Sequence, residues 1–283
     1  MWSSSRITLG AIVVCVAGSA VLAHSRDESG AITFASLGLL GGPKRPSTDS
    51  PPRGSSTDTV PRTSIDPVAR AIVERMSRRL KALTAFSVHA ETTKDEVLEA
   101  GPKVLMSETN DIVVRRPDSF KADMHGDARD QQMFFNGQTL TVYNERLKYY
   151  AQVPAKGTLS ELYDVAEKKY HVPIPLVDLV HRASQGSLLN DVTAGIVVGQ
   201  SIVNGVQCDH LAFHQKDVDW QLWVERGDRA LPQKLLITTL DEEGAPQYIA
   251  HLTWNLSPNI ASNTFAFVPP AGAAKIPIVA AAR

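Results

Sequence analysis

Met133-Phe134-Phe135-Asn136-Gly137-Gln138-Thr139-Leu140-Thr141-Val142-Tyr143 reads as two short strands folded about a tight turn. Asn-Gly is a strong hairpin signal, because both central residues of a type I′ turn need positive φ, and the flanks here are apolar, aromatic and β-branched. The dipeptide recurs at Asn204-Gly205, between Ile196 to Val203 and Val206 to His214, while Gly227-Asp228 and Glu243-Gly244 punctuate the later stretches in the same way. Upstream, Phe86, Val88 and Ala90, then Val104, Met106, Ile112 and Val114, then Phe120, Ala122 and Met124 alternate with polar neighbours. Period-two alternation buries one face of a strand and leaves the other in water. About ten or eleven such strands predict a mainly β (α+β) fold: an open antiparallel up-and-down half-barrel curved around an apolar interior.

A helix precedes the strand pattern and one helical insertion interrupts it. Asp66 as N-cap and Pro67 at the first helical position open a helix in which Val68, Ile72, Met76 and Leu80 recur every four residues beside Ala69, Val73 and Leu83. Its other face carries Arg70, Glu74, Arg75, Arg78 and Lys81, which reads as a solvated face, with contact to anionic lipid or a partner as the alternative. The insertion at 158–190 begins with a capping box, Thr158 and Glu161, followed by the stripe Leu159, Leu162, Val165 and Ala166 to about Tyr170. A second short helix is expected from about Pro175, where Leu176, Leu179 and Val180 need cover. An open-sided curved sheet offers that cover, so both pieces are expected to lid or plug the concave face.

Outside this region the chain reads differently. Met1 to Arg6, the apolar stretch Ile7 to Ala23 and the ending Val21-Leu22-Ala23 fit a signal peptide cleaved before His24, giving export to the periplasm; an uncleaved membrane anchor is the alternative. Residues 24–65, with Gly41-Gly42-Pro43, Pro51-Pro52 and a Ser/Thr-rich run, are expected to be a disordered tether, within which Ala31 to Leu40 holds the apolar residues able to dock on the domain or a membrane. The folded domain is placed at 66–275 and a tail at 276–283. A chain of 283 residues, 43% hydrophobic, can fill one sizeable core, and a net charge of -1 gives no electrostatic reason to expect nucleic acid. With Cys15 in the leader, cleavage leaves Cys208 alone, so no internal disulfide is expected.

Chemistry appears only in fragments. Cys208, His210 and His214 share strand parity, yet the third lies about 13 Å beyond the second by strand rise, which does not make a tetrahedral site. Gly199-Gln200-Ser201 lacks the second glycine of a nucleophile elbow, and Asp219 and Glu225 stand too far apart on one strand to share a proton. The sequence therefore predicts no metal, no cofactor and no enzyme. Aromatic residues are the better candidates for binding. Trp220, Leu222 and Val224 face one way and Trp223 the other, and Tyr248, Ala250, Leu252 and Trp254 alternate likewise. The residues expected to line a hydrophobic cavity are Met124, Leu140, Leu162, Leu176, Trp220, Leu222, Tyr248 and Trp254.

Four phrases carry a resemblance: Val218-Asp219-Trp220-Gln221-Leu222-Trp223-Val224-Glu225, Cys208-Asp209-His210-Leu211-Ala212-Phe213, Pro232-Gln233-Lys234-Leu235 and Phe265-Ala266-Phe267-Val268-Pro269-Pro270. Over about residues 66–275 the chain resembles an uncharacterised family of predicted bacterial periplasmic proteins, a domain of unknown function. More distantly, the order of helix, meander, helical insertion and meander is similar to the carriers and acceptors that move lipoproteins to the bacterial outer membrane, in which an open barrel cups acyl chains under helical lids. The resemblance implies the half-barrel fold and brings no catalytic residues. The expectation is a periplasmic binding protein enclosing a lipid or acyl chain. A structural or sensory envelope protein, using the same fold for protein contact, is the alternative.

Overall fold

The computed structural model describes residues 64–98, 102–170, 174, 176 and 178–277. Expectations for the leader, for Ala31 to Leu40 and for nearly all of the tether fall outside these residues, as does Pro175. The chain enters along the edge of the sheet, where Ile65 bridges Gly195 in parallel, and then turns into α1 (Pro67–Ala82). Asp66 caps that helix, its Oδ1 accepting from the Val68 amide at 2.7 Å, and Pro67 follows as the first residue.

Ala69, Ile72, Val73, Met76, Leu80 and Leu83 form the buried stripe of α1 and its exit, whereas Val68 is 59% exposed. This corrects the four-residue spacing read from sequence. At 100° per residue, a strict i, i+4 row drifts by about 40° per step, so Val68 has swung off the buried side by the first turn.

A single sheet of twelve strands holds the described residues together. The first meander is β1 (Ala85–Val97), β2 (Lys103–Arg115), β3 (Ser119–Gly126), β4 (Asp130–Phe135), β5 (Thr139–Asn144) and β6 (Tyr149–Pro154). The second is β7 (Ala194–Val203), β8 (Val206–His214), β9 (Val218–Glu225), β10 (Pro232–Thr239) and β11 (Gln247–Asn255), and β12 (Ala274–Lys275) closes the chain. The spatial order is β12-β6-β5-β4-β3-β2-β1-β11-β10-β9-β8-β7. The half-barrel is thus two meanders joined where the first and last long strands pair, Val88 against Trp254 and Ala90 against Leu252. The sheet does not close into a barrel.

Consequently β6 and β7, consecutive strands in sequence, lie toward opposite edges, and the connection between them has to cross the sheet. That crossing is α2 (Leu159–Tyr170), a π-helical turn at Asp178–Arg182 and α3 (Ala183–Gln185), which ends on Gly186 with φ 72°. The capping box at α2 is formed: the Thr158 amide donates to Glu161 Oε2 at 2.7 Å and the Glu161 amide to Thr158 Oγ1 at 3.4 Å. Leu162 and Ala166 are the buried residues of the stripe, with Leu159 and Val165 half-buried.

The hairpin turns differ from one another. Asn204 and Gly205 have φ 48° and 79° and join directly paired Val203 and Val206, as a type I′ turn demands. At Asn136-Gly137 only the glycine has positive φ, the flanking pair is Phe135 with Leu140, and Asn136 Oδ1 accepts from the amides of Gln138 and Thr139 at 3.1 and 3.0 Å. This second site is a longer loop held by an asparagine side chain rather than a two-residue turn.

After β11 the chain crosses the convex face. Phe267 lies 5.1–5.6 Å from the rings of Phe134, Tyr143 and Tyr150, and β12 then pairs in parallel with β6. The strap covers aromatic residues that would otherwise face water, and the sequence reading did not include it.

Candidate functional site

The concave face is assembled by strand parity. Phe86, Val88 and Ala90 of β1, Ile112 and Val114 of β2 and Phe120, Ala122 and Met124 of β3 point to the same side as Leu235 and Ile237 of β10 and Ala250, Leu252 and Trp254 of β11. Together with the buried sides of α1 and α2 they make one continuous apolar core. α1 packs against β7, β9 and α3. α2 and the π-helical turn lie over β1 to β3, and the packing there is incomplete. A cavity of about 70 Å³ remains between Phe86, Val88, Ile112 and Phe120 below and Leu159, Leu162, Ile174, Leu176 and Val180 above.

Two polar residues reach this apolar space, Arg116 and His181. Arg116 follows Val114 by two residues and so continues the concave parity past the end of β2. Its Nη2 donates to the Leu80 carbonyl at 3.5 Å, and its Nε is buried without a hydrogen-bond partner. Burial holds the guanidinium below its ordinary pKa. His181 stacks on Tyr163 with ring centres 5.1 Å apart. Burial first, then the charges of Arg116 and Arg182, hold its imidazole below the usual range, against an opposing pull from Asp164.

All eight residues singled out from sequence belong to or pack on the concave core. Leu162 and Leu176 line the cavity. Met124, Leu140, Trp220 and Leu222 are fully enclosed elsewhere in the core, the last two on β9, the strand against which α1 rests. Trp220 stacks on Phe213 at 4.2 Å, and its indole N–H has no acceptor among the described residues. Trp254 packs on Phe86 at 5.5 Å and donates from Nε1 to the Pro232 carbonyl at 2.7 Å. Tyr248 sits further along β11 and is half-buried; burial, with the Glu108 carboxylate adding to it, pushes its pKa well above the ordinary phenol.

Arg116, His181 and Ile174 were not singled out from sequence, and Val180 was named there only as an insertion residue in need of cover. The signal for Arg116 was available in the parity of β2, whereas the cavity face of the insertion depends on how the crossing connection sits on the sheet.

The fragments of chemistry are dispersed. His210 stacks on Trp223 at 4.1 Å and shares a 2.9 Å hydrogen bond with Gln221, while His214 pairs with Asp219 at 2.6 Å. Cys208 is buried with Val203 and Trp223 in a small cluster on the convex side. Glu225 accepts from Gln233 at 3.0 Å and is 3.5 Å from Arg229. Among the described residues no group of three or more His, Cys, Asp or Glu converges to hold a metal. A wider groove of about 530 Å³ on the convex face is lined by Glu91, His125, Lys234 and His251, among others. Most of its lining residues are polar or charged, and it lies open to solvent rather than enclosed.

A family model described as a predicted periplasmic protein, domain of unknown function 2092, matches residues 69–279. No curated protein sequence matches the chain. Among solved structures, the chain is similar to the lipoprotein LppX of Mycobacterium tuberculosis, with 17% identity over 69% of this chain and 100% of that one and a TM-score of 0.45. It is also similar to LprF of Mycobacterium bovis, with 15% identity, 71% and 99% coverage and a TM-score of 0.42. A LolA-superfamily protein of Nitrosomonas europaea matches at 9% identity, 70% and 97% coverage and a TM-score of 0.33.

Proposed function

The chain belongs to this family of predicted periplasmic proteins, and from that premise we propose that it is an envelope binding protein, rather than an enzyme, that encloses a hydrophobic ligand such as a lipid or acyl chain between its concave sheet and the crossing helices. The observation that carries the reading is the apolar cavity under α2 and the π-helical turn, at the place where the core is left unfilled. At about 70 Å³ it is smaller than the ~300–1,000 Å³ of an ordinary ligand pocket. A chain-length ligand therefore enters by displacing the helices from Phe86, Val88 and Ile112, and its own apolar surface replaces the contacts given up.

Two features of the crossing suit such displacement. A π-helical turn is an uncommon geometry that recurs at functional sites. Leu176 is held at φ 54°, a conformation unfavourable for a residue of its kind, so part of the closed arrangement carries backbone strain. Under the same proposal the leader is removed after Ala23, and residues 24–65 tether the 66–275 domain.

A second reading, contact with another envelope protein, has β7 in its favour. Beyond the Ile65 bridge this strand is a free edge among the described residues, and Ile196, Val198 and Ile202 on it are 47–69% exposed. An extended partner segment adds to such an edge through main-chain hydrogen bonds.

Titration with an apolar fluorescent probe, followed by tryptophan emission, separates the two. The carrier reading expects saturable binding of one probe per folded chain, displaced by long-chain lipids, and a faster exchange in Leu176→Ala. Absence of saturable binding would overturn it.

A further inference from the structure

The wall of the cavity contains an uncompensated cation. Among the described residues no carboxylate pairs with Arg116, and the one hydrogen bond of its side chain there is the 3.5 Å contact to the Leu80 carbonyl. The other polar group at the cavity, His181, is held toward its neutral form by burial and by Arg116 itself. A half-buried guanidinium facing aliphatic and aromatic side chains costs desolvation energy that no carboxylate among the described residues offsets. Its unpartnered Nε lies beside Nη2, and this edge of the planar fork matches two oxygens of an oxyanion.

We propose that Arg116 receives the compact oxyanion head of a single-chain amphiphile whose alkyl chain runs over Phe86, Val88, Ile112 and Phe120. This deepens the carrier reading and rests on it. The head chemistry, a carboxylate or a phosphate monoester, is what one guanidinium recognises. A neutral lipid would bury the cation without an anion and gain nothing from it. Ion pairing and chain burial then act at one site: the head fixes the register of the chain, and the floor of β1 to β3 supplies apolar contact.

The test compares palmitate, hexadecyl phosphate and hexadecanol, three ligands of one chain length, by displacement of a bound apolar probe. Wild-type protein should bind at least one of the two oxyanions about tenfold or more tightly than the alcohol, the size expected of a charge-assisted hydrogen-bonded pair. Arg116→Met, which keeps the apolar stem, should bring all three within about twofold while still binding hexadecanol, and Arg116→Lys should retain part of the preference. Equal affinity of the wild type for acids and alcohol would overturn the oxyanion assignment and leave the carrier reading standing. Failure of all three ligands to displace or bind would overturn both. A drop in Tm for Arg116→Met with an unchanged acid-to-alcohol ratio would reduce Arg116 to a prop for the end of α1 and equally overturn the proposal.

Discussion

Gly195 sits where the entering chain, the edge strand β7 and the Phe213 ring converge. A Cβ there would stand 2.5 Å from Phe213 Cδ1 and 3.2 Å from Ile65. Neither neighbour gives way freely, since Phe213 is stacked on Trp220 and Ile65 is bridged to Gly195 itself. Gly195→Ala is therefore expected to destabilise by about 1–3 kcal/mol, read as a lower Tm. An unchanged Tm would show that the edge relaxes without cost. Cys208 makes a second residue-scale case. Burial, with the Glu225 carboxylate adding to it, pushes its thiol up to about 11. The folded chain thus favours the protonated form: the stabilisation is complete below the ordinary thiol value and is lost as pH climbs toward 11. At pH 8, alkylation of Cys208 mapped by peptide mass spectrometry should be far slower in folded than in denatured protein. Comparable rates would place the sulfur outside the Val203 and Trp223 cluster. At this scale the sequence was informative where the signal is local. Asn204-Gly205 is the expected turn, whereas Asn136-Gly137 has the same letters and a different loop, because the Asn136 side chain bonds two following amides instead.

Among the elements, α2 connects local chemistry to access. The Thr158 amide, then its hydroxyl, holds the Glu161 carboxyl below its ordinary value. A depressed acid stabilises above its unfolded pKa and ceases to do so as pH falls through the folded one. As pH falls below the ordinary carboxylate range, therefore, the first turn of α2 should loosen, and an apolar probe should enter faster. Glu161→Gln should abolish that acid dependence, and a wild-type entry rate flat down to pH 3 would contradict it. The capping box and the stripe of α2 were legible because both are fixed within a few residues. The Val68 position shows the opposite limit: a four-residue row looks apolar along its length, yet helix geometry turns its first member out of the core. Arg116 lay in plain parity with Ile112 and Val114. It escaped the sequence reading because a charged residue at a strand end is ordinarily assigned to solvent.

For the whole molecule, alternation and turns revealed a curved antiparallel sheet with a helical insertion. They do not reveal that β1 and β11 pair, since that contact joins residues such as Val88 and Trp254 that no local pattern relates. Nor do they show that the insertion must cross between edges, which is why the cavity lies under α2 and away from Trp220 and Leu222. The C-terminal strap was equally hidden. Phe267→Ala should remove three aromatic contacts and cost about 2 kcal/mol, seen as a lower Tm without loss of probe binding, because the strap lies on the convex face. An unchanged Tm would mean that the strap adds no stability. The central claim, that the concave side holds a hydrophobic ligand, is tested most directly by expressing residues 1–283, recovering the folded protein from the periplasm and analysing its solvent extract by mass spectrometry. A long-chain amphiphile in near-stoichiometric amount, absent from a control protein purified in parallel, is the predicted result; an extract indistinguishable from the control would contradict the claim.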